Sequence, residues 1–290
     1  MLFTLARLLI PAFDRLSTLL NRTVDRLLAP IFVLSGMKPF TLGYTSYKRR
    51  QIARKLRYEP FTRSSWPRRY GFRLDERVVE YPWFFSRLQP GPGKLLDAGS
   101  VLNFDYILEH PRLRGKQLFI STLAPELRSY TRRGYSYVFE DLRASCFRDD
   151  YFDAIVSLST IEHIGLDNTL LYTSDASKNE RRTDDYLKAI NEYRRMLRPG
   201  GTLYLSFPFG KRAVCGWYQV FDQAAVDELV AAFAPGEHKR WYFRYGSNEW
   251  RPATAAECAD ANTFDIYRTK QYEPDYLAFS RAICCLELRK

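Results

Sequence analysis

Tyr151-Phe152-Asp153-Ala154-Ile155-Val156-Ser157-Leu158-Ser159-Thr160-Ile161-Glu162-His163 reads as a short apolar strand running straight into a polar loop. Two other segments share that form. Lys94-Leu95-Leu96-Asp97-Ala98-Gly99-Ser100 lies upstream, and Met196-Leu197-Arg198-Pro199-Gly200-Gly201-Thr202-Leu203-Tyr204-Leu205 lies downstream. Around them the pattern predicts strands at 94–98, 116–122, 135–140, 153–158 and 201–207, and helices at 103–110, 125–133, 184–197 and 222–233. Alternation of this kind implies a mostly parallel α/β sheet covered on both faces. In such sheets ligands bind beyond the carboxyl ends of strands, where the strand order reverses. Asp97-Ala98-Gly99-Ser100, Asp141-Leu142 and Ser157-Leu158-Ser159 all fall at those ends.

With 290 residues and 46% hydrophobic content, the chain can bury one substantial core with appendages. Its net charge of +11 is unevenly placed. Residues 1–75 hold 15 Lys/Arg against 4 Asp/Glu, and the remainder holds 29 against 29. A nucleic-acid enzyme more often carries basic charge around its catalytic cleft as well, so nucleic acid is a disfavoured partner. The five cysteines show no metal-ligand spacing, and their odd number argues for reduced, cytoplasmic thiols rather than a disulfide framework. Cys284-Cys285 sits in an apolar run and is expected in the core.

Residues 1–36 are apolar but interrupted by Arg7, Asp14, Arg15, Arg22, Asp25 and Arg26, so no membrane-spanning helix is predicted. From Ala12 to Ile31 the apolar positions have helical spacing. A basic run follows through Lys48, Arg49, Arg50, Arg54, Lys55, Arg57, Arg63, Arg68 and Arg69. Residues 1–73 therefore suit a peripheral position on an anionic membrane surface. Packing on the protein's own core or on a second subunit is an equal expectation. Residues 56–90 read as an irregular aromatic cap with a helix around Asp75–Arg87. Gln89-Pro90-Gly91-Pro92-Gly93 marks the boundary between a helical extension, 1–90, and an α/β domain, 91–290.

The order and spacing of the three strand segments resemble a class I S-adenosylmethionine (SAM)-dependent methyltransferase. That resemblance implies a Rossmann-like sheet, with 278–288 as its terminal antiparallel strand, and SAM as cofactor. It places Asp97, Gly99, Ser100 and Asn103 in the turn that approaches the methionine and ribose portions. The turn keeps only the first of the family's glycines, with Val101 and Asn103 at the other positions. Thr122 stands where many members carry an acidic residue for the ribose hydroxyls. The resemblance sets Asp141 and Leu142 beside the adenine and Ser157 at the end of the fourth strand. His163 is the candidate general base and Glu162 the residue that orients it. The Asn/Asp-Pro-Pro-Tyr/Phe and Pro-Cys elements of base-modifying enzymes are absent from the corresponding positions.

Glu162-His163-Ile164-Gly165-Leu166, a polar insertion as far as Asp185, Leu197-Arg198-Pro199-Gly200-Gly201 and Phe207-Pro208-Phe209-Gly210 look like methyltransferase-like proteins of surface-polysaccharide biosynthesis. The implied acceptor is a saccharide hydroxyl, with a lipid-linked glycan met at the inner face of the membrane. Residues 236–277 carry Trp241, Tyr242, Phe243, Arg244, Tyr245, Glu249, Trp250 and Arg251, which suit either sugar stacking or packing on the sheet. Two other readings stand beside this one. The first is a binding or scaffold protein with a degenerate cofactor pocket. The second is an RNA methyltransferase docking through residues 48–73.

Overall fold

The computed structural model describes residues 20, 23–57, 66–126, 129–172, 175–265, 269 and 271–290. In chain order, helices α1 (23–34), α2 (Tyr44–Lys55) and α3 (Arg77–Arg87) precede the sheet. There follow β1 (Gly93–Ala98), α4 (Asp105–Leu108), β2 (Lys116–Thr122), β3 (Ser136–Phe139), β4 (Phe152–Leu158), α5 (Tyr186–Met196) and β5 (Leu197–Pro208). The chain closes with the small pair β6 (Ala213–Val214) and β7 (Gln219–Val220), then α6 (Gln223–Phe233), β8 (Glu237–Gly246), β9 (Glu249–Ala253), α7 (Ala255–Cys258) and β10 (Ala282–Arg289). The proposed helix start at residues 12–19 lies outside the described residues.

Eight strands form one sheet in the order β3-β2-β1-β4-β5-β10-β8-β9. The first five are parallel, and β10 runs antiparallel to both β5 and β8. This is the expected Rossmann-like class I methyltransferase sheet with its antiparallel terminal strand. The order reverses between β1 and β4, so the carboxyl ends of those two strands border the crevice. The inner parallel strands are buried on both sides, which is why Leu95-Leu96, Leu118-Phe119-Ile120 and Ala154-Ile155-Val156 read as unbroken apolar runs.

Neighbouring residues of each strand enter different cores. Leu96, Ile155, Leu203, Leu205 and Cys284 face α5 and α6. Helix α5 meets them through Tyr186, Ala189, Ile190, Tyr193 and Met196, a helical stripe. Leu95, Val156, Tyr204 and Cys285 face the other way, onto the cap. There α3 buries Val78, Val79, Tyr81, Trp83, Phe84 and Phe85 in one continuous cluster with Phe32, Tyr44 and Ile52. The extension and the sheet thus share a core.

Two local expectations are corrected. Helix 125–133 does not form among the described residues, where only a 3-10 turn at Thr131–Arg133 appears. The cap, rather than a helix after β2, covers much of this face. Residues 237–253 form a hairpin instead of a loop, and its aromatic side chains hold the cap. Phe243 stacks on Trp66 at 5.6 Å, and Arg87 lies 4.5 Å over the Trp241 ring. Trp250 donates its indole N–H to the Leu74 carbonyl at 2.9 Å and its backbone N–H to that of Tyr70 at 2.8 Å. Phe243, Tyr245 and Trp250 are buried, so these rings present no face for stacking on a sugar.

Candidate active site

The turn after β1 is closed by protein groups. Asp97 is fully buried, and its carboxylate accepts the Val101 N–H at 2.9 Å and the Leu102 N–H at 2.8 Å. Burial pushes the carboxyl up to about 7, against the opposing pull of the Leu102 and Val101 amides. From the cap, Tyr81 donates its hydroxyl to the Val101 carbonyl at 2.5 Å. Val101 and Leu102 themselves point into the cap-side core. That placement disposes of the difficulty raised by the missing glycines, because their side chains leave the crevice. Asn103 also turns aside, donating to Glu126 at 2.9 Å and accepting from the Tyr137 hydroxyl at 2.8 Å.

The glycine that remains has an unexpected partner. Gly99 lies at φ +114°, and a Cβ there would come within 2.3 to 2.9 Å of the Thr160 side chain. Ser100 follows, also left-handed at φ 58°. The turn after β1 and the loop after β4 are therefore fitted to each other, with Thr160 seated against Gly99.

The loop after β4 holds the candidate base. His163 stacks on Trp217, with ring centroids 5.1 Å apart and planes at 11°. Its Nδ1 lies 2.8 Å from the Trp217 carbonyl oxygen. A carbonyl only accepts, so Nδ1 carries the proton and Nε2 presents a lone pair. Burial, the dominant influence, pushes the imidazole down to about 4, opposed by the Trp217 carbonyl and reinforced by the charge of Arg77. The ring is consequently neutral across the physiological range. Glu162 places Oε1 3.8 Å from His163 Nε2. Burial holds the Glu162 carboxyl well above the usual carboxylate range.

Behind this loop stands a polar cluster that the sequence did not reveal. From α3, Arg77 donates to the Leu158 carbonyl at 2.9 Å and to Glu80 at 3.0 Å. Glu80 in turn accepts the Ser159 hydroxyl at 2.5 Å and the Ser206 hydroxyl at 2.6 Å. The cap thereby ties down the ends of β4 and β5. Burial, with Asp75 and Glu80 nearby, pushes the neighbouring Glu76 carboxyl up to about 8. Arg77 and Glu80 lie in a segment dominated by aromatics, and only their position three apart on a helix could have hinted at a pair.

Across the crevice, Asp141 is engaged by Arg143. The guanidinium donates to both Asp141 oxygens, from Nε at 3.0 and 3.1 Å and from Nη2 at 2.7 Å. Burial disfavours the Asp141 charge, but these bonds outweigh it and hold the carboxyl below its ordinary range. Arg143 also reaches Glu180 at 2.7 Å and Asp185 at 2.6 Å, fastening the polar insertion across the cleft. Gly99, Thr122, Asp141, Leu142, Thr160 and His163 line the resulting cavity, together with Tyr172 and Glu180 of the insertion. Of the remaining expected residues, Asp97 lies beneath the turn. Ser157 faces α5, its hydroxyl 3.3 Å from that of Tyr193, because the strand's pleat turns it away from the crevice.

Whether these residues suit a cofactor can be tested on their unmet hydrogen bonds. Among the described residues, Ser100 Oγ, Thr122 Oγ1 and Glu162 Oε2 are buried without a partner. An unsatisfied buried polar atom costs about 1–3 kcal/mol. Of the three, Thr122 lines the cavity, while Ser100 and Glu162 adjoin its lining residues Gly99 and His163 in sequence; an idle hydroxyl at the wall fits a polar ligand. The cavity as it stands encloses about 50 Å³, far below the roughly 300–1,000 Å³ of a ligand pocket. No group of three or more metal-binding side chains occurs among the described residues.

Residues 106–205 match a family described as a methyltransferase domain. The match runs from α4 through most of β5 and supports the methyltransferase reading. No curated protein matches the sequence. Several solved structures are similar to the chain. One is the Burkholderia thailandensis 1,6-didemethyltoxoflavin-N1-methyltransferase with bound 1,6-didemethyltoxoflavin and S-adenosylhomocysteine (15% identity, 69% of this chain and 72% of that one, TM-score 0.42). Another is YcgJ from Bacillus subtilis (12% identity, 73% and 97%, TM-score 0.44). A third is a methyltransferase-type protein from Bacillus halodurans (11% identity, 72% and 96%, TM-score 0.46).

Proposed function

We propose that this protein transfers the methyl group of SAM to a hydroxyl, and that the acceptor is a saccharide. The observation that carries the chemistry is that His163, held in the tautomer that leaves Nε2 a lone pair, and the unpartnered Thr122 hydroxyl line one cavity, with the unpartnered atoms of Ser100 and Glu162 in the adjoining turns. Thr122, with Asp141 and Leu142 farther along the sheet edge, would hold the nucleoside end of SAM. Asp97 and Tyr81 would keep the turn in shape beneath it. When bound, SAM supplies an electrophilic methyl group on a sulfonium.

The residues then have little more to do than position the acceptor and take its proton. An acceptor hydroxyl that attacked such a methyl group would become strongly acidic as the carbon–sulfur bond gave way. A weak base suffices at that stage. His163 is such a base, neutral at physiological pH and held in the accepting tautomer by the Trp217 carbonyl. The saccharide assignment rests on the resemblance of the loop, insertion and strand-exit motifs to surface-polysaccharide methyltransferases, together with the polar rim of the insertion. The buried aromatics of β8 and β9 give it no support.

One observation favours the second reading, a binding protein on the same fold. The cleft is narrow, and Arg143 already occupies Asp141. Calorimetry with S-adenosylhomocysteine separates the two readings. Micromolar binding, with radiolabelled methyl transfer from SAM to a hydroxylated glycan pool, supports the enzyme; no heat at millimolar ligand would refute it. His163→Ala should lower turnover about 10²–10⁴-fold while leaving S-adenosylhomocysteine affinity within a few-fold. Unchanged turnover would remove His163 from the chemistry.

A further inference from the structure

Helix α1 has two dissimilar faces. It buries Ala29 and Phe32 against the cap but leaves Val24, Leu27, Ile31 and Leu34 exposed, the last at 87%. These four recur at intervals of three and four residues and form a single stripe. Phe40 and Leu42 continue the apolar surface just beyond the helix. Isolated exposed apolar residues are ordinary, whereas a contiguous ridge marks a contact surface.

On the flank of the same helix lies a cavity of about 720 Å³. Arg26 of α1, Arg49 and Arg50 of α2, Arg57 just after it, and Arg112 all line it. Only Asp25 and Glu109 oppose them, and Asp25 already lies 3.6 Å from Arg49. Arg112 is fixed from behind by its bond to the Leu88 carbonyl at 2.8 Å. Five guanidinium groups around one opening match phosphate oxygens in charge and geometry. The excess positive charge of the sequence lies within residues 1–75, which supply four of these five arginines.

The geometry points to an anionic phospholipid surface as the occupant: the α1 ridge enters the interface while the arginine-lined cavity receives a headgroup phosphate. The charge is what distinguishes this occupant from a second copy of the chain, whose own basic cavity would be repelled. Peripheral helices bind by this combination of buried apolar area and attraction to anionic lipid. Each basic side chain near such a surface adds to that attraction.

The test is flotation of the full chain with phosphatidylcholine vesicles and with vesicles of phosphatidylcholine and phosphatidylglycerol at 7:3. Wild type should float with the anionic vesicles at least about tenfold better than with the neutral ones, and less well as salt rises. Arg50→Glu/Arg57→Glu and Leu27→Glu/Ile31→Glu should each reduce that binding about tenfold or more. Both variants should keep the wild-type melting temperature, which shows that they fold. Three results would overturn the proposal. These are equal flotation with both vesicle types, retained flotation by both variants, or a wild-type dimer that Leu27→Glu/Ile31→Glu dissociates without changing flotation. Binding of inorganic pyrophosphate by a chain that never floats would also overturn it, in favour of a soluble phosphate ligand.

Discussion

The turn after β1 and the loop after β4 lie side by side on one sheet edge, yet they are finished in opposite ways. In the first, the protein satisfies itself: Asp97 takes two backbone amides, Tyr81 takes the Val101 carbonyl, and Val101 and Leu102 enter the core. In the second, groups are left over. Glu162 Oε2 is buried unpaired, and His163 has one nitrogen engaged and one presenting a lone pair. One turn is closed on itself, and the other leaves polar groups free for a ligand. A turn can thus lose most of its glycines and keep its path, provided another part of the chain fixes it.

The largest expected effect comes from Gly99→Ala, which attacks the contact between the two turns. The new methyl would collide with Thr160 from a backbone conformation that L-residues rarely adopt. Loss of about 3 kcal/mol of stability or more is expected, read as a fall in melting temperature of the ligand-free protein. If Gly99→Ala melts like wild type and loses only S-adenosylhomocysteine binding, the glycine serves the ligand rather than Thr160. The comparison would then fail.

Much of the sheet was legible in the sequence because its inner strands are buried on both faces. Leu95-Leu96 and Ala154-Ile155-Val156 announce themselves without long-range information. The loop Ser159–His163 was legible for the same reason, since it directly follows such a strand. The hairpin 237–253 was not. Its sequence alternates aromatic and basic residues, and only the cap decides which of them are covered. Arg77 and Glu80 were hidden likewise. Their partners Leu158, Ser159 and Ser206 lie 79 to 126 positions downstream, and nothing local to α3 indicates that it reaches the ends of β4 and β5.

That concealed cluster yields the next effect. Glu76 is buried beside Asp75 and Glu80, with its carboxyl pushed up to about 8 and one oxygen unpaired. A carboxyl whose folded pKa exceeds its unfolded value near 4.3 binds its proton more tightly in the native state. Its stabilisation is complete below about pH 4 and disappears as pH rises toward 8. Glu76→Gln keeps the shape and removes the titration. The variant should match wild type near pH 5 and exceed it by about 1–3 kcal/mol near pH 8.5, followed by denaturant titration at both values. Parallel pH profiles for the two proteins would show that Glu76 is ionised in the fold, and that the cap's acidic cluster carries no strain.

The smallest effect sharpens the comparison most directly, because it should have opposite signs with and without ligand. Thr122 Oγ1 is buried and unpartnered, so the ligand-free protein bears the cost of an idle hydroxyl. Thr122→Val replaces it with a methyl group of nearly the same shape. If the hydroxyl waits for SAM, the variant should be more stable than wild type by up to about 1 kcal/mol when empty and bind S-adenosylhomocysteine several-fold less tightly. A hydroxyl that merely fills space would also give added stability, but with unchanged affinity. Thr122 would then join Asp97 among the residues that shape the crevice without touching what enters it, and the unpaired groups of the β4 loop alone would carry recognition.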